Sequence, residues 1–236
     1  MLTRTRQSTQ TSTVASFISK VYAWMFAALT ITATSAVVTV SNPAIFNFVF
    51  GNKFVFYGIM LAQLGLVVTL SAAINKLSPW AARAIFVLYS SSLGVMCSSL
   101  FFVFELNSIL AVFGTTCAMF AAMAIYGYTT KADLTTFGSI LSMGLLGIIV
   151  ASLINMFVGS STAGYVISFL GVVIFTGLIA FDMQKIKRFA EQLRYHDSDL
   201  RVSEANVALL CALTLYLDFV NLFLMLLQLM GQRRRD

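Results

Sequence analysis

The sequence predicts an all-α, polytopic membrane protein with seven transmembrane helices, and three observations carry that prediction. Hydrophobic residues make up 59% of the 236-residue chain and charged residues 10%, with two prolines and a mean hydropathy of +0.89. Soluble domains carry about 25% charged residues, so water is the wrong solvent for most of this chain. Apolar stretches of 19 to 26 residues recur between short polar connections, and about 20 such residues cross the ~30 Å hydrocarbon core of a bilayer. Finally, the 15 Lys and Arg residues sit in tails, connections and span ends. They are scattered and form no single face, so the net charge of +6 reads as a topology signal and not as a nucleic-acid footprint.

Residues 1–19 are rich in Ser, Thr and Gln, too polar for the core of a cleaved signal peptide, and read as a flexible cytoplasmic tail. The membrane domain covers 20–231. Its first span, 21–40, closes at Ser41-Asn42-Pro43, because proline disfavours helix at the residue before it. The second, 54–74, closes at Asn75 to Pro79. The third, 81–104, and the fourth, 108–128, are separated only by Glu105-Leu106-Asn107. A polar loop from Thr129 to Asp133 precedes the fifth, 137–158, and Gly159-Ser160-Ser161 turns into the sixth, 163–181. Loops this short make neighbouring helices antiparallel. After a long connection the seventh span runs 205–230, followed by a basic tail at 232–236. Cys97, Cys117 and Cys211 all lie in spans, without a metal or disulfide spacing, and read as small buried hydrophobes.

Small residues recur every fourth position at Ser90, Gly94 and Ser98, at Gly114, Ala118 and Ala122, and at Gly147 and Ala151. Such faces let helices approach closely in lipid, where packing replaces the hydrophobic effect. With the N-terminus in the cytoplasm, eleven Lys and Arg fall inside and four outside, the latter being Lys53 and Arg233 to Arg235. That bias supports the orientation, although seven crossings leave the terminal arginines outside. In the connection 182–204, Met183, Ile186, Phe189, Ala190 and Leu193 follow helical spacing opposite basic residues, so the sixth helix is expected to continue along the cytoplasmic interface, where anionic headgroups are one partner for its basic face. His196, Asp197 and Asp199 read as a solvated loop; a metal or pH-sensing role would need a better ordered site.

Seven of the nine acidic residues fall in loops, at span ends or in the tail. Asp182 and Asp218 alone are embedded in apolar sequence, with Thr176 upstream of the first and Tyr216 and Asn221 flanking the second. An ionised Asp at a helix centre costs about 2.5–3.5 kcal/mol on insertion scales, so such residues face a protein interior or a wet cavity. With no internal cation to neutralise them, two carboxylates share a proton or hold a bound cation. A site that exchanges one for the other is a pH-gated cation site. The plainer alternative is that each caps backbone or bonds Thr and Asn on a neighbouring helix.

The stretches FTGLIAFDMQKIK at 175–187 and ALTLYLDFVNLFLMLL at 212–227 closely resemble the sixth- and seventh-helix signatures of the Bax inhibitor family, and YGYTTKADL at 126–134 and SLINMF at 152–157 are similar to its fourth- and fifth-helix markers. The resemblance covers about residues 15 to 231 and has the look of bacterial inner-membrane members. It implies a bundle with the last helix central, and a pH-sensitive calcium leak in which Asp182 and Asp218 are the sensor and gate and the transient calcium contacts, with Tyr216, Asn221 and Thr176 as supporting polar groups. Some members carry an arginine latch in the second helix; this chain has Gln63 there, and Lys76 at the end of that span is the expected substitute.

No cofactor is expected beyond calcium as the permeant ion. The partners implied are the bilayer, calcium or another cation and, as an alternative function, a stress-response protein or membrane-anchored AAA protease reached through the N-terminal tail. An intramembrane aspartyl protease also uses two aspartates, but its Tyr-Asp and Gly-x-Gly-Asp contexts are replaced here by Phe181-Asp182 and Leu217-Asp218, so no enzyme is expected. One tension remains. Asp182 follows its span at 163–181, whereas Asp218 is 13 residues into the last, about 20 Å deeper at helical rise. A cytoplasmic lead-in to the last helix, capped by Ser203 with Glu204 in its first turn, is the expected resolution.

Overall fold

Long runs without proline let helices extend past the apolar stretches that nucleate them. The structure, a computed structural model, describes residues 2–192 and 201–234, with side chains at 14–74, 76–192 and 204–234. In order come α1 (Leu2–Ser41), α2 (Pro43–Phe50), α3 (Lys53–Ala73), a 3-10 turn (Ile74–Lys76), α4 (Pro79–Cys97), α5 (Leu100–Val103), α6 (Leu106–Thr129), α7 (Thr135–Val158), α8 (Ser161–Gln192) and α9 (Arg201–Met230). Seven of these stretches are long and apolar enough to span a bilayer among the described residues, with α4 and α5 forming one. Many large apolar side chains face outward, with Phe54 at 89% and Phe157 at 84% exposure. In water such a surface would aggregate; in a bilayer it is the solvated one.

Two expectations are corrected and one is met. The stretch 1–19, expected as a flexible tail, is helical from Leu2, and no glycine or proline interrupts 2–41. The sixth helix continues past its span at 181, as the amphipathic spacing predicts, and runs to Gln192 with Met183, Ile186 and Ala190 buried along one stripe. Ser203 lies inside α9, which begins at Arg201, so it is not the N-cap. His196, Asp197 and Asp199 lie outside the described residues.

The chain divides into two units. The first comprises Met1–Val103 and Phe189–Leu213, the second Phe104–Arg188 and Thr214–Asp236. In the first, α1 and α4 pack backbone to backbone. Thr32 donates its hydroxyl to Ala28 O at 2.8 Å and to Ser90 O at 3.0 Å, and Ser90 and Ser98 are fully buried. A Cβ on Gly94 would collide with Thr32 O and stand 2.7 Å from Ser35 Cβ, so this member of the small-residue face is required. The break between α4 and α5 has a local cause: Ser98 and Ser99 donate to Val95 O at 2.6 Å and Met96 O at 2.9 Å, competing with the helix ladder. Asn206 of α9 closes the other end, donating to Ile74 O at 3.0 Å and Leu77 O at 2.9 Å. Lys20 and Glu204 are paired at 2.9 Å.

In the second unit the other small-residue faces behave differently. Gly114, Ala118, Ala122 and Gly147 are exposed, and α6 instead buries Ile109, Val112, Thr116, Phe120, Ala124 and Gly127. Gly127 meets the backbone of Ala180, and Gly138 the ring of Phe181, leaving no room for a Cβ at either position. Gly159 ends α7 at φ 70°, a left-handed cap that suits glycine, and starts the tight turn into α8. After α9 the chain returns to the start of α6, where Glu105 N donates to Gln232 O at 3.0 Å and Gln232 N to Ser108 Oγ at 2.9 Å.

Gly94→Ala is expected to force α1 and α4 apart and to lower stability by about 1–3 kcal/mol, the usual cost of overpacking. Gly65→Ala in α3, where nothing lies within 4 Å of the added Cβ, leaves the unfolding midpoint in detergent unchanged.

Candidate functional site

The second unit is where the two embedded aspartates meet. Helices α8 and α9 are antiparallel there: a Cβ on Gly164 would approach Gln228, and one on Gly171 would approach Met225. Continuing this register brings Asp182 beside Asp218, so that the two carboxyl groups interact directly. The 20 Å offset vanishes because Asp182 is ten residues inside the end of α8 and not at the end of a span.

Asp218 is 6% exposed and Asp182 half-buried. Ile179, Ala180 and Met183 on α8, and Leu215, Tyr216 and Phe219 on α9, are buried around them. The rings of Phe113 and Phe120 from α6 meet Phe219 edge-on at 5.5 and 5.6 Å. Asp218 Oδ2 is buried and has no hydrogen-bond partner among the described residues, and neither has the Thr176 hydroxyl. The charge that reaches Asp182 is Lys185, exposed one turn further along α8. A carboxylate oxygen buried without a donor, beside a second carboxyl, is costly in its ionised form, so the arrangement favours holding a proton or drawing in a cation.

The remaining expected residues divide. Tyr216 is fully buried two residues before Asp218, and Asn221 is half-buried one turn after it. Lys76 ends the 3-10 turn of the first unit, exposed and without an ion pair among the described residues. Among the described residues no group of three or more His, Cys, Asp or Glu forms a metal cluster. Calcium takes six to eight oxygens, so two carboxylates alone do not make a calcium storage site.

Sequence reasoning missed the clamp beside the pair. Gln184, buried two residues after Asp182, donates to Ala132 O at 2.8 Å and accepts from Leu134 N at 3.0 Å. Lys187 donates to Tyr128 O at 2.8 Å and lies 5.0 Å from the centre of the Tyr128 ring. Arg188 pairs with Asp133 at 2.8 Å and reaches the Thr135 hydroxyl at 3.1 Å. One turn of α8 thus holds the whole α6–α7 connection. The available signal was an amide next to an apolar residue in a helical pattern, which must find partners if buried. The Thr135 hydroxyl and the Arg188 guanidinium hold the Asp133 carboxyl down at about 2.

These features define a polytopic, all-helical membrane protein with a carboxyl pair embedded between its last two helices. The chain matches the family described as "Inhibitor of apoptosis-promoting Bax1" over residues 14–235. It is 44% identical over 219 residues to the Inner membrane protein YbhL of Escherichia coli K12, covering 92% of each chain. It is also 47% identical over 220 residues to an uncharacterized protein of Borreliella burgdorferi, covering 93% of each. The protein belongs to the Bax inhibitor family.

Gln184→Leu strands a buried N–H and a carbonyl and is expected to cost about 1–3 kcal/mol. The matching readout is faster hydrogen exchange at the Leu134 amide. For Asp133, the folded-state value lies below the ordinary carboxylate value, so its contribution is present above about pH 4 and is lost as pH falls through about 2. The melting midpoints of wild type and Asp133→Asn should therefore differ at neutral pH and converge across that window.

Proposed function

We propose that this protein is a pH-sensitive cation leak of the inner membrane, with calcium as its ion, gated by a proton that Asp182 and Asp218 share. The observation that carries the reading is the meeting of two carboxyls between α8 and α9, one buried with an unpartnered oxygen. With one proton the pair is a hydrogen bond that ties the helices together. Once the proton leaves, two like charges about 4 Å apart repel by about 4 kcal/mol at an effective dielectric of about 20. That corresponds to roughly a thousandfold shift between two states, ample to move a closed helix pair to an open one. A cation passing between the helices relieves the same repulsion. Acid therefore closes the path and rising pH opens it. The pair is assigned no covalent chemistry.

The basic bias of the inner connections supports a cytoplasmic N-terminus. The hydrogen bonds that join Gln232 to Glu105 and Ser108 support an even number of crossings between them, which puts the C-terminus on the outer side in this orientation.

In liposomes of purified protein, calcium flux is expected to rise with pH, and both Asp182→Asn and Asp218→Asn to make it insensitive to pH. Folded protein that gives no flux above empty liposomes at any pH would overturn the leak and leave a role through a protein partner.

A further inference from the structure

The first unit carries an aromatic and cationic cluster that the aspartate pair does not use. Arg83, four residues into α4, lies over two rings at once, 5.7 Å from the centre of Trp24 and 5.4 Å from that of Trp80. Trp24 is fixed in turn by an edge contact at 6.0 Å with Phe86, which is fully buried. Trp80 is 78% exposed. The guanidinium is half-buried and has no carboxylate partner among the described residues, where the ion pairs are Lys20 with Glu204 and Arg188 with Asp133. Lys76, likewise exposed and without an ion pair among the described residues, lies in the connection that leads into α4.

We propose that Arg83, flanked by Trp24 and Trp80, is a binding site for the phosphate of an anionic phospholipid headgroup. Three features support it. The ring faces offer the guanidinium no carboxylate or carbonyl acceptor, and the fork of its N–H donors matches phosphate oxygens in a bidentate manner. Tryptophans concentrate where a span meets the headgroup layer, and the Pro79–Val103 span begins here. Two cations without a countercharge among the described residues meet their complement in anionic lipid, whose surface attracts basic residues near it. A zwitterionic headgroup brings its own cation and fits less well.

The test uses an accident of composition: the chain contains two tryptophans, and both belong to the site. Intrinsic fluorescence therefore reads this cluster alone. The full chain is reconstituted in phosphatidylcholine bilayers doped with bromine-labelled lipid, which quenches the tryptophans it touches. Brominated phosphatidylglycerol is expected to quench with about fivefold higher apparent affinity than brominated phosphatidylcholine. Arg83→Gln should remove that preference, whereas Lys131→Gln, at an exposed position of the α6–α7 connection, should retain it. Equal quenching by the two lipids in the wild type would overturn the proposal without recourse to any variant. So would relief of quenching by inorganic phosphate at matched ionic strength, which would assign the site to the free anion.

Discussion

Two carboxyl groups pressed together away from water cannot both carry charge unless a cation joins them, and the rest of the second unit is arranged around that constraint. Asp218 sits on the most buried of the seven candidate spans, 56% of whose apolar window is covered against 6% for α3. Its neighbours Leu215, Tyr216, Phe219 and Leu222 are buried on several sides of the helix, so no rotation would carry the carboxyl to solvent. Asp182, half-buried and reached by the field of Lys185, is the wetter partner.

Close packing fixes where the pair meets. Immediately before Asp182, α8 presses Ala180 against Gly127 and Phe181 against Gly138, contacts that admit no Cβ. Immediately after it, Gln184, Lys187 and Arg188 hold the α6–α7 connection. The aspartate is thus bracketed by a tight steric contact on one side and a polar clamp on the other. Displacement of α8 at this level has to disturb both, which makes the helix suited to two discrete positions and not to gradual drift.

Much of this was legible in the sequence for physical reasons. Lipid demands long apolar runs, so helix number and order could be read from composition and punctuation alone. The cost of an embedded charge singled out Asp182 and Asp218. Other features depend on which face of a helix meets a neighbour, which local spacing does not determine. Gly94 and Gly114 sit in equivalent four-residue patterns, yet one is packed against Thr32 and the other is exposed. The continuation of α8 past 181 was legible in the amphipathic spacing of Met183, Ile186, Phe189 and Ala190, whereas its depth relative to Asp218 was not, because the span had been closed at the charge. Gln184 and Asn206 were overlooked because an amide in sequence carries no sign of being buried, and their partners lie 50 or more residues away.

The shared proton is the point on which the account turns, and infrared spectroscopy reads it directly through the carbonyl stretch of a protonated carboxylic acid. In the wild type reconstituted in lipid, one such band should disappear as pH rises, and both Asp182→Asn and Asp218→Asn should shift or abolish it, since it belongs to the pair. A band left unchanged by either substitution would assign the proton to a single residue. That result would contradict the account.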